Sequence, residues 1–415
     1  MEILIKIIVY VSIFIGLFTT VYYLLGFLRK EEKGSIPKIL PFCTIIIPAY
    51  NEEDCIEKTT LSALTINYPK NKLEIIIVDD GSKDRTLEIS RSIEKKFSNV
   101  KVITKKNGGK GSALNLGIKN SHGEIIISLD SDSEVDSNAL LPMLPYFNNP
   151  QVMCVTPTMR VLKPKGILQR LQAFEYDMGT FLRKAFATLD SINVTPGPFS
   201  AYRKSFFERY GGYNEKTITE DMEIAMRIQS LNYKIESSLG SVVYTIAPKN
   251  FMDLIRQRRR WYTGLIQNLT DYKYLFGKRY GEMGLISFPL IIVSILTVSI
   301  ITIYYVIKGV YDGYHAVSLY YYNGFDFINN MNFKWSILTN SFYGTITEPF
   351  ILFSILFIIV SFIIVYYFNL KTPSKERGPT MFLNYIIFTI FYGVFYTIWW
   401  IVSIYYAFTK KQIKW

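Results

Sequence analysis

Cysteine and histidine are scarce in this chain, which limits the metal and redox chemistry open to it. Cys43, Cys55 and Cys154 are the only cysteines among 415 residues, and they lack the paired spacing of a zinc site or a disulfide framework. His122 and His315 are the only histidines. This composition fits a reducing, cytosolic environment, and we expect any metal ion to be held by oxygen ligands.

Acidic residues are fewer than basic ones, 34 against 46, which gives a formal net charge of +12. Such a charge favours binding to nucleic acid, to a membrane surface or to a phosphate-bearing substrate. The basic residues stand beside apolar runs and in one compact cluster, and the sequence contains no DNA- or RNA-binding motif. We therefore expect membrane lipids and a phosphorylated substrate as partners, and no nucleic acid.

Apolar residues, 49% of the chain, collect in a few long runs. Residues 7–27 form an uncharged run that is long enough for a membrane-spanning helix, which needs about 20 residues. A cleaved signal peptide is the alternative, but its apolar core is usually shorter and precedes a small-residue cleavage site that this sequence lacks. Further runs occupy residues 283–307, 350–368 and 382–408.

These runs predict a multi-pass protein of the cell membrane with three regions. Residues 1–35 contain the first transmembrane helix, residues 36–282 form a cytoplasmic domain with interfacial helices, and residues 283–415 contain about three further spans. Basic residues flank the first run (Arg29, Lys30, Lys33) and fill the loop 371–379, and both segments are expected on the cytoplasmic side.

The basic C-terminal tail does not fit this topology. Four spans place Lys410, Lys411 and Lys414 outside, against the tendency of basic segments to stay in the cytoplasm. Either the tail is an exception, or the stretch 309–345 contains a re-entrant element that changes the count.

Short runs rich in isoleucine and valine alternate with polar helical stretches in the middle region. The predicted strands are residues 42–47, 73–78, 100–104, 124–129 and 152–156. Their nearly continuous apolar character is typical of strands covered on both faces. Their alternation with helices predicts an α/β fold with a parallel, doubly wound sheet. Ligands of such sheets bind beyond the carboxyl ends of the strands.

Acidic turns follow three of these strands. Tyr50 and Glu52 follow the first, Asp79 and Asp80 the second, and Asp130 and Asp132 the fourth. One Asp-Ser-Asp turn alone is usually a solvated loop, but acidic groups at successive strand ends favour a shared site. The two aspartates of the fourth strand could hold Mg²⁺, which would stabilise the charge of a departing nucleoside diphosphate.

Lys110 lies in the glycine-rich stretch 107–112, which precedes a helical segment and is not a Walker-type loop. A flexible surface turn is the simpler interpretation of this stretch. Its position beside the acidic strand ends favours contact with a diphosphate.

Two further segments carry groups suited to sugar transfer. Glu220 and Asp221 open a helix after Thr219, its predicted N-cap; acidic residues are common there, but a carboxylate could also act as a general base. Gln257, Arg260 and Trp261 fall on one face of a later helix. On that face, Gln257 carries an amide, Arg260 a guanidinium suited to phosphate, and Trp261 an aromatic ring suited to a sugar.

A basic interfacial helix on anionic lipid is the alternative interpretation of this later segment. Both functions are compatible, because Arg258 and Arg259 point away from the face of Gln257 and are expected to meet lipid headgroups. Residues 165–189 are predicted to form another interfacial helix.

Together, the ordered motifs Asp-Asp-Gly-Ser, Asp-x-Asp, Thr-Glu-Asp and Gln-x-x-Arg-Trp resemble those of glycosyltransferase family 2. The resemblance is to its membrane-embedded processive branch, which includes hyaluronan, chitin, cellulose and poly-N-acetylglucosamine synthases. It covers roughly residues 40–275 and the flanking membrane spans. It implies a Rossmann-like GT-A catalytic domain and an inverting displacement with no covalent enzyme intermediate.

The resemblance also implies roles for individual residues. Tyr50, Glu52, Asp79, Asp80 and Lys110 would surround the nucleotide, and Asp130 and Asp132 would act on the diphosphate through Mg²⁺ or Mn²⁺. Asp221 would be the catalytic base, with Glu220 beside it. Arg260 would bind the diphosphate, Trp261 and Gln257 would contact the acceptor sugar, and the segment 197–203, with Tyr202 and Arg203, would line the acceptor site.

The resemblance leads to three hypotheses. The first is a processive synthase that extends a β-linked polysaccharide from UDP-N-acetylglucosamine or UDP-glucose. The second is a single transfer to a membrane lipid, because ceramide glucosyltransferases carry a similar Gln-x-x-Arg-Trp motif. The third is an inactive scaffold or polymer-export subunit, which the intact set of acidic residues disfavours. The sugar, the acceptor, the linkage and the oligomeric state are left open.

Overall fold

The fold was analysed in a computed structural model, which describes residues 2–29, 34–322, 349–371 and 379–409. An α/β domain lies between long apolar helices. Its eight strands are β1 (Cys43–Ala49), β2 (Leu73–Asp79), β3 (Val100–Thr104), β4 (Ile125–Ser128), β5 (Ser133–Val135), β6 (Val152–Val161), β7 (Ala201–Arg203) and β8 (Lys234–Thr245).

The strands form one mixed sheet in the order β3-β2-β1-β4-β7-β6-β8-β5. The prediction of a parallel sheet is right for one half of it and wrong for the other. The half formed by β3, β2, β1 and β4 is parallel, but β7 runs antiparallel to both of its neighbours, and β5 runs antiparallel to β8. The antiparallel β7 follows directly from the segment 197–200, which returns along the carboxyl end of β4.

The helices of the domain are α2 (Ile56–Leu64), α3 (Thr86–Lys96), α4 (Lys110–Asn120), α5 (Gly166–Thr188), α6 (Lys204–Tyr210), α7 (Glu220–Ser230) and α8 (Phe251–Asp271). They cover both faces of the sheet. Along β1, Ile45 and Ile47 enter one core cluster and Ile46 enters the other, because alternate side chains of a strand point to opposite faces. All seven residues of β1 are buried, as the continuous apolar run predicts.

Four further helices flank the domain: α1 (Glu2–Leu28), α9 (Phe288–Tyr322), α10 (Pro349–Lys371) and α11 (Pro379–Thr409). Within the described residues, the segments Ile7–Leu28 and Met283–His315 are long and apolar enough to cross a membrane. The third and fourth predicted spans coincide with α10 and α11, and the four-span topology stays a prediction. Residues 372–378, Lys410, Lys411, Lys414 and the part of 309–345 beyond Tyr322 lie outside the described residues.

Helices α5 and α8, the two predicted interfacial helices, lie between the sheet and the flanking helices. Helix α5 packs against α1 on one side and against β6 and β8 on the other, and α8 packs along α11. Arg258 and Arg259 on α8 were predicted to meet lipid headgroups; this was wrong for Arg258 and stays a prediction for Arg259, which is half-buried. Arg258 is buried, and the guanidinium of Arg259 lies 4.5 Å from the ring centroid of Tyr406 on α11.

Candidate active site

A cleft of about 410 Å³ opens at the carboxyl ends of β1, β2 and β4. Tyr50, Glu52, Asp80 and Lys110, which belong to three separate sequence motifs, all line it. The remaining lining residues come from the end of β1, from the loops that follow β3 and β4, and from α4: Pro48, Ala49, Asn107, Gly109, Ala113 and Ser131. The parallel half of the sheet therefore gathers these motifs at one edge, where ligands of such sheets bind.

The two aspartates after β2 hold the walls of this cleft together. Asp80 accepts hydrogen bonds from the backbone N–H groups of Gly108 (3.0 Å) and Gly109 (2.7 Å). It also forms an ion pair with Lys105 (2.8 Å). Asp79 is buried and accepts from the hydroxyl of Thr104 (2.9 Å). The glycine-rich stretch is thus folded onto the acidic turn, and it is not a free surface loop.

Lys110, the first residue of α4, joins two acidic motifs. Its ammonium lies 2.6 Å from an Asp130 carboxylate oxygen and 3.1 Å from a Glu220 carboxylate oxygen. The chain of Gly197 passes so close that a Cβ there would lie 2.5 Å from the Lys110 Nζ and 2.8 Å from both Asp130 oxygens. A larger residue at this position would displace the ends of the Lys110 and Asp130 side chains from their present contact.

The carboxyl groups around β1 and β4 carry negative charge that the protein only partly offsets. Burial and the neighbouring carboxylate of Asp130 raise the pKa of Asp132 to about 6. Burial, followed by the charge of Asp132, raises the pKa of Glu52 to about 7. Each shift means that the ionised form lacks a sufficient counter-charge.

This donor set fits a hard divalent cation, which prefers oxygen ligands and adds the missing positive charge. Asp130 and Asp132 are the residues that could hold it. In the part of the chain that the structure describes, no group of three or more His, Cys, Asp or Glu side chains is arranged to enclose a metal ion. The ion would therefore complete its coordination with water and with phosphate oxygens, as Mg²⁺ commonly does.

Asp221 lies in the same acidic group, at the start of α7. Burial, then the charge of Glu220, raises its pKa to about 7, although Lys110 and Arg260 oppose the rise. Burial acts to raise the pKa of Glu220, but the charge of Lys110, a backbone hydrogen bond and the charge of Arg260 together lower it. Two adjacent carboxyls thus differ in proton affinity, and Asp221 is the one suited to accept a proton near neutral pH.

Helix α8 closes this side of the site. A Cβ on Gly264 would lie 2.3 Å from the Thr219 hydroxyl oxygen, so α8 passes directly over the start of α7. Thr219 occupies the N-cap position, but its side chain makes no capping bond and accepts from Asn268 of α8 at 3.0 Å. The charge of Arg260 reaches both Glu220 and Asp221, as expected for a group that faces the site.

The other two motif residues of α8 are half-buried beside Arg260. Trp261 packs against the core cluster that includes Tyr176, with ring centroids 6.4 Å apart. Gln257 accepts a hydrogen bond from Arg258 at 2.8 Å. Gln257 and Trp261 both contact the guanidinium of Arg258, and a shared face of Gln257, Arg260 and Trp261 stays a prediction.

Tyr202 and Arg203 have structural contacts that the sequence did not reveal. Tyr202 is buried in the sheet core, and its hydroxyl donates to Thr195 at 2.9 Å. Arg203 donates to the carbonyl oxygens of Val152 (2.8 Å) and Asn149 (3.0 Å), at the opposite end of β6 from the cleft. Their assignment to the acceptor site stays a prediction without a contact to support it.

The domain as a whole has a GT-A-like fold. It is similar to a mannosyltransferase from Pyrobaculum calidifontis, solved in complex with GDP-Man and Mn²⁺, with a TM-score of 0.63. The two sequences are 18% identical, and the similarity covers 90% of this chain and 99% of that one. At this level of identity, the likeness concerns the fold alone.

The sequence identifies the family more closely. Residues 44–211 match the model of the family described as Glycosyl transferase family 2, and the chain therefore contains a glycosyltransferase family 2 domain. It is 28% identical over 311 residues to the poly-β-1,6-N-acetyl-D-glucosamine synthase of Staphylococcus aureus strain MSSA476, covering 70% of this chain and 74% of the relative. It is 26% identical over 359 residues to the synthase of the same name from Staphylococcus epidermidis, covering 80% and 85%.

Proposed function

We propose that this chain is a membrane-bound, inverting glycosyltransferase that extends a β-linked polysaccharide from a UDP-sugar at the cytoplasmic face of the cell membrane. The observation that carries the proposal is the convergence of Glu52, Asp130, Asp132, Glu220 and Asp221 around Lys110, beside a cleft large enough for a nucleotide. The similarity to poly-β-1,6-N-acetyl-D-glucosamine synthases supports a polysaccharide product and favours UDP-N-acetylglucosamine over UDP-glucose.

In the proposed reaction, Asp221 takes the proton from an acceptor hydroxyl, and the oxygen attacks the anomeric carbon of the donor sugar. The bond from that carbon to the β-phosphate oxygen breaks on the opposite face, and the nucleoside diphosphate leaves. Asp130 and Asp132 would hold Mg²⁺ or Mn²⁺, which supplies positive charge to the diphosphate. Arg260 and Lys110 offset the negative charge that remains near the leaving group.

The choice of acceptor separates this proposal from its closest alternative. Transfer of one sugar to a membrane lipid uses the same donor chemistry. A polymer synthase must in addition keep its product bound between successive transfers. The half-buried aromatic residue Trp261, on the helix that crosses the start of α7, favours a bound acceptor sugar.

Purified protein in detergent or lipid nanodiscs should be incubated with a panel of radiolabelled nucleotide sugars and Mg²⁺ or Mn²⁺. We expect UDP-N-acetylglucosamine to give a product of many sugar units that a matching β-glycosidase digests. If the product is instead a glycolipid with a single sugar, the chain transfers one sugar to a membrane lipid and does not extend a polysaccharide. The absence of any product from every donor, with UDP still bound, would instead indicate a binding or scaffold protein.

A further inference from the structure

Arg258 is the most deeply buried charge on α8, and the proposed chemistry gives it no role. Its side chain is 0% exposed, and its guanidinium forms an ion pair of 2.5 Å with Glu175 of α5. The other oxygen of Glu175 accepts a hydrogen bond of 2.7 Å from the hydroxyl of Tyr392 on α11. Three helices that are distant in sequence thus meet at one ion pair.

The same guanidinium contacts both of the neighbouring motif side chains. It lies 4.1 Å from the ring centroid of Trp261 and donates to the Gln257 amide oxygen at 2.8 Å. On its far side, the ring of Trp399 is 5.6 Å away. Arg258 therefore fixes the two side chains that are proposed to contact the acceptor sugar, and it is itself fixed by Glu175.

Such an arrangement needs a structural reason, because a buried ion pair is often no more stable than apolar residues of the same size. Its advantage is orientation: a guanidinium is planar, stacks on aromatic rings and donates in fixed directions. A lysine at this position would keep the charge without fixing the indole ring and the amide together.

We propose that Glu175, Arg258 and Tyr392 form a positioning cluster that holds Trp261 and Gln257 in the geometry needed for the acceptor, and that α11 thereby controls acceptor use. This inference rests on the proposed function, since it assumes that Trp261 faces an acceptor sugar. The cluster touches neither the donor cleft nor Asp221 in the described contacts, so its effect should fall on the acceptor alone.

The test compares Arg258→Lys, Glu175→Gln and Tyr392→Phe with the wild type, and uses Arg256→Lys as a matched control. Arg256 is on the same helix, but it is exposed and pairs with Asp253, one turn away on that helix. Three quantities are measured: transfer from the UDP-sugar to a short β-linked oligosaccharide, hydrolysis of the UDP-sugar without acceptor, and UDP affinity by calorimetry.

We expect Arg258→Lys and Glu175→Gln to lower acceptor-dependent transfer by about 10-fold or more. The physical reason is that a displacement of about 1 Å in a group that contacts the substrate can lower the rate by about 100-fold. Hydrolysis and UDP affinity should change by less than about 2-fold. Tyr392→Phe removes one hydrogen bond and should raise the acceptor KM by about 2- to 10-fold. The control should behave as the wild type does.

Transfer that stays normal in all three variants would overturn the proposal. An equal loss of transfer and hydrolysis in Tyr392→Phe or Arg258→Lys would also overturn it, because the cluster would then act on the whole fold. If Glu175→Gln does not accumulate as folded protein, these two variants decide the question.

A second measurement does not depend on the substrate. The fluorescence of Trp261 is isolated by subtracting the spectrum of the same protein with Trp261→Phe. Arg258→Lys should make this signal more accessible to acrylamide, and an unchanged signal would contradict the positioning role. If the wild type transfers no sugar from any donor, the proposed function fails, whereas this fluorescence result still tests the cluster.

Discussion

At the scale of single residues, the account depends on the unequal proton affinities of two neighbouring carboxyls. Asp221→Asn keeps the size of the side chain and its hydrogen bond from the Met222 N–H (2.9 Å), but it removes the base. We expect transfer to fall by about 100- to 10,000-fold, with UDP affinity changed by less than about 3-fold. Initial rates and UDP titrations of both proteins test this. Substantial turnover by the variant would remove Asp221 from the role of base.

The raised pKa of Asp221, about 7, predicts a pH dependence. A carboxyl with a raised pKa is still protonated just below neutrality and cannot accept a proton there, so kcat/KM should fall as the pH drops through about 7. The profile should be measured with saturating metal, so that Asp132 is ionised throughout. A profile that stays flat from about pH 6 to about pH 8 would contradict this assignment.

At the scale of elements, the sequence predicts the strands whose burial makes them continuously apolar. Strand β3 has the predicted bounds, and β1, β2 and β4 differ from theirs by one or two residues at one or both ends. Strand β6 begins at the predicted residue but continues to Val161, beyond the predicted end at residue 156. Strand β8 escaped prediction because it includes Glu236, Ser237, Ser238 and Gly240, which break the apolar run. Strands β5 and β7 have three residues each, too few for any periodicity to show.

The site residues also fall into those that the sequence predicts and those that it does not. Groups next to strand ends, such as Glu52 and Asp80, can be placed from the sequence, because parallel strands bring their carboxyl ends to one edge. Glu175 and Tyr392 could not be placed. They meet Arg258 only through the packing of α5 and α11 against α8, and no local pattern encodes that packing.

The close crossing of α8 over α7 gives a prediction at this scale. In Gly264→Ala the new methyl group would lie 2.3 Å from the Thr219 hydroxyl oxygen, so the helices must move apart. We expect a loss of about 1–3 kcal/mol in unfolding free energy and lower transfer activity. Gly179→Ala on α5 is the control, because its nearest new contact is the flexible end of Arg183 at 3.4 Å. Equal thermal stability of the two variants would show that α7 and α8 can accommodate the methyl group without a loss of stability.

At the scale of the whole molecule, two of the described helices that flank the charged catalytic domain are long and apolar enough to cross a membrane. The proposed topology places that domain in the cytoplasm, because Arg29 and the basic residues after it follow the first helix. Added UDP-sugar should then be used by sealed inside-out vesicles and not by right-side-out vesicles until detergent is added. The reverse pattern would place the domain on the other side of the membrane.

The proposed mechanism rests on the claim that Asp130 and Asp132 hold one cation against the diphosphate, beside the carboxylates that follow β1 and begin α7. The most direct test is UDP binding, measured by calorimetry with Mn²⁺ and with chelator, for the wild type and for Asp132→Asn. We expect the metal to tighten UDP binding by about 10-fold or more in the wild type, through charge on the diphosphate, and to have little effect in the variant. Equal UDP affinity with and without metal in the wild type would contradict the claim.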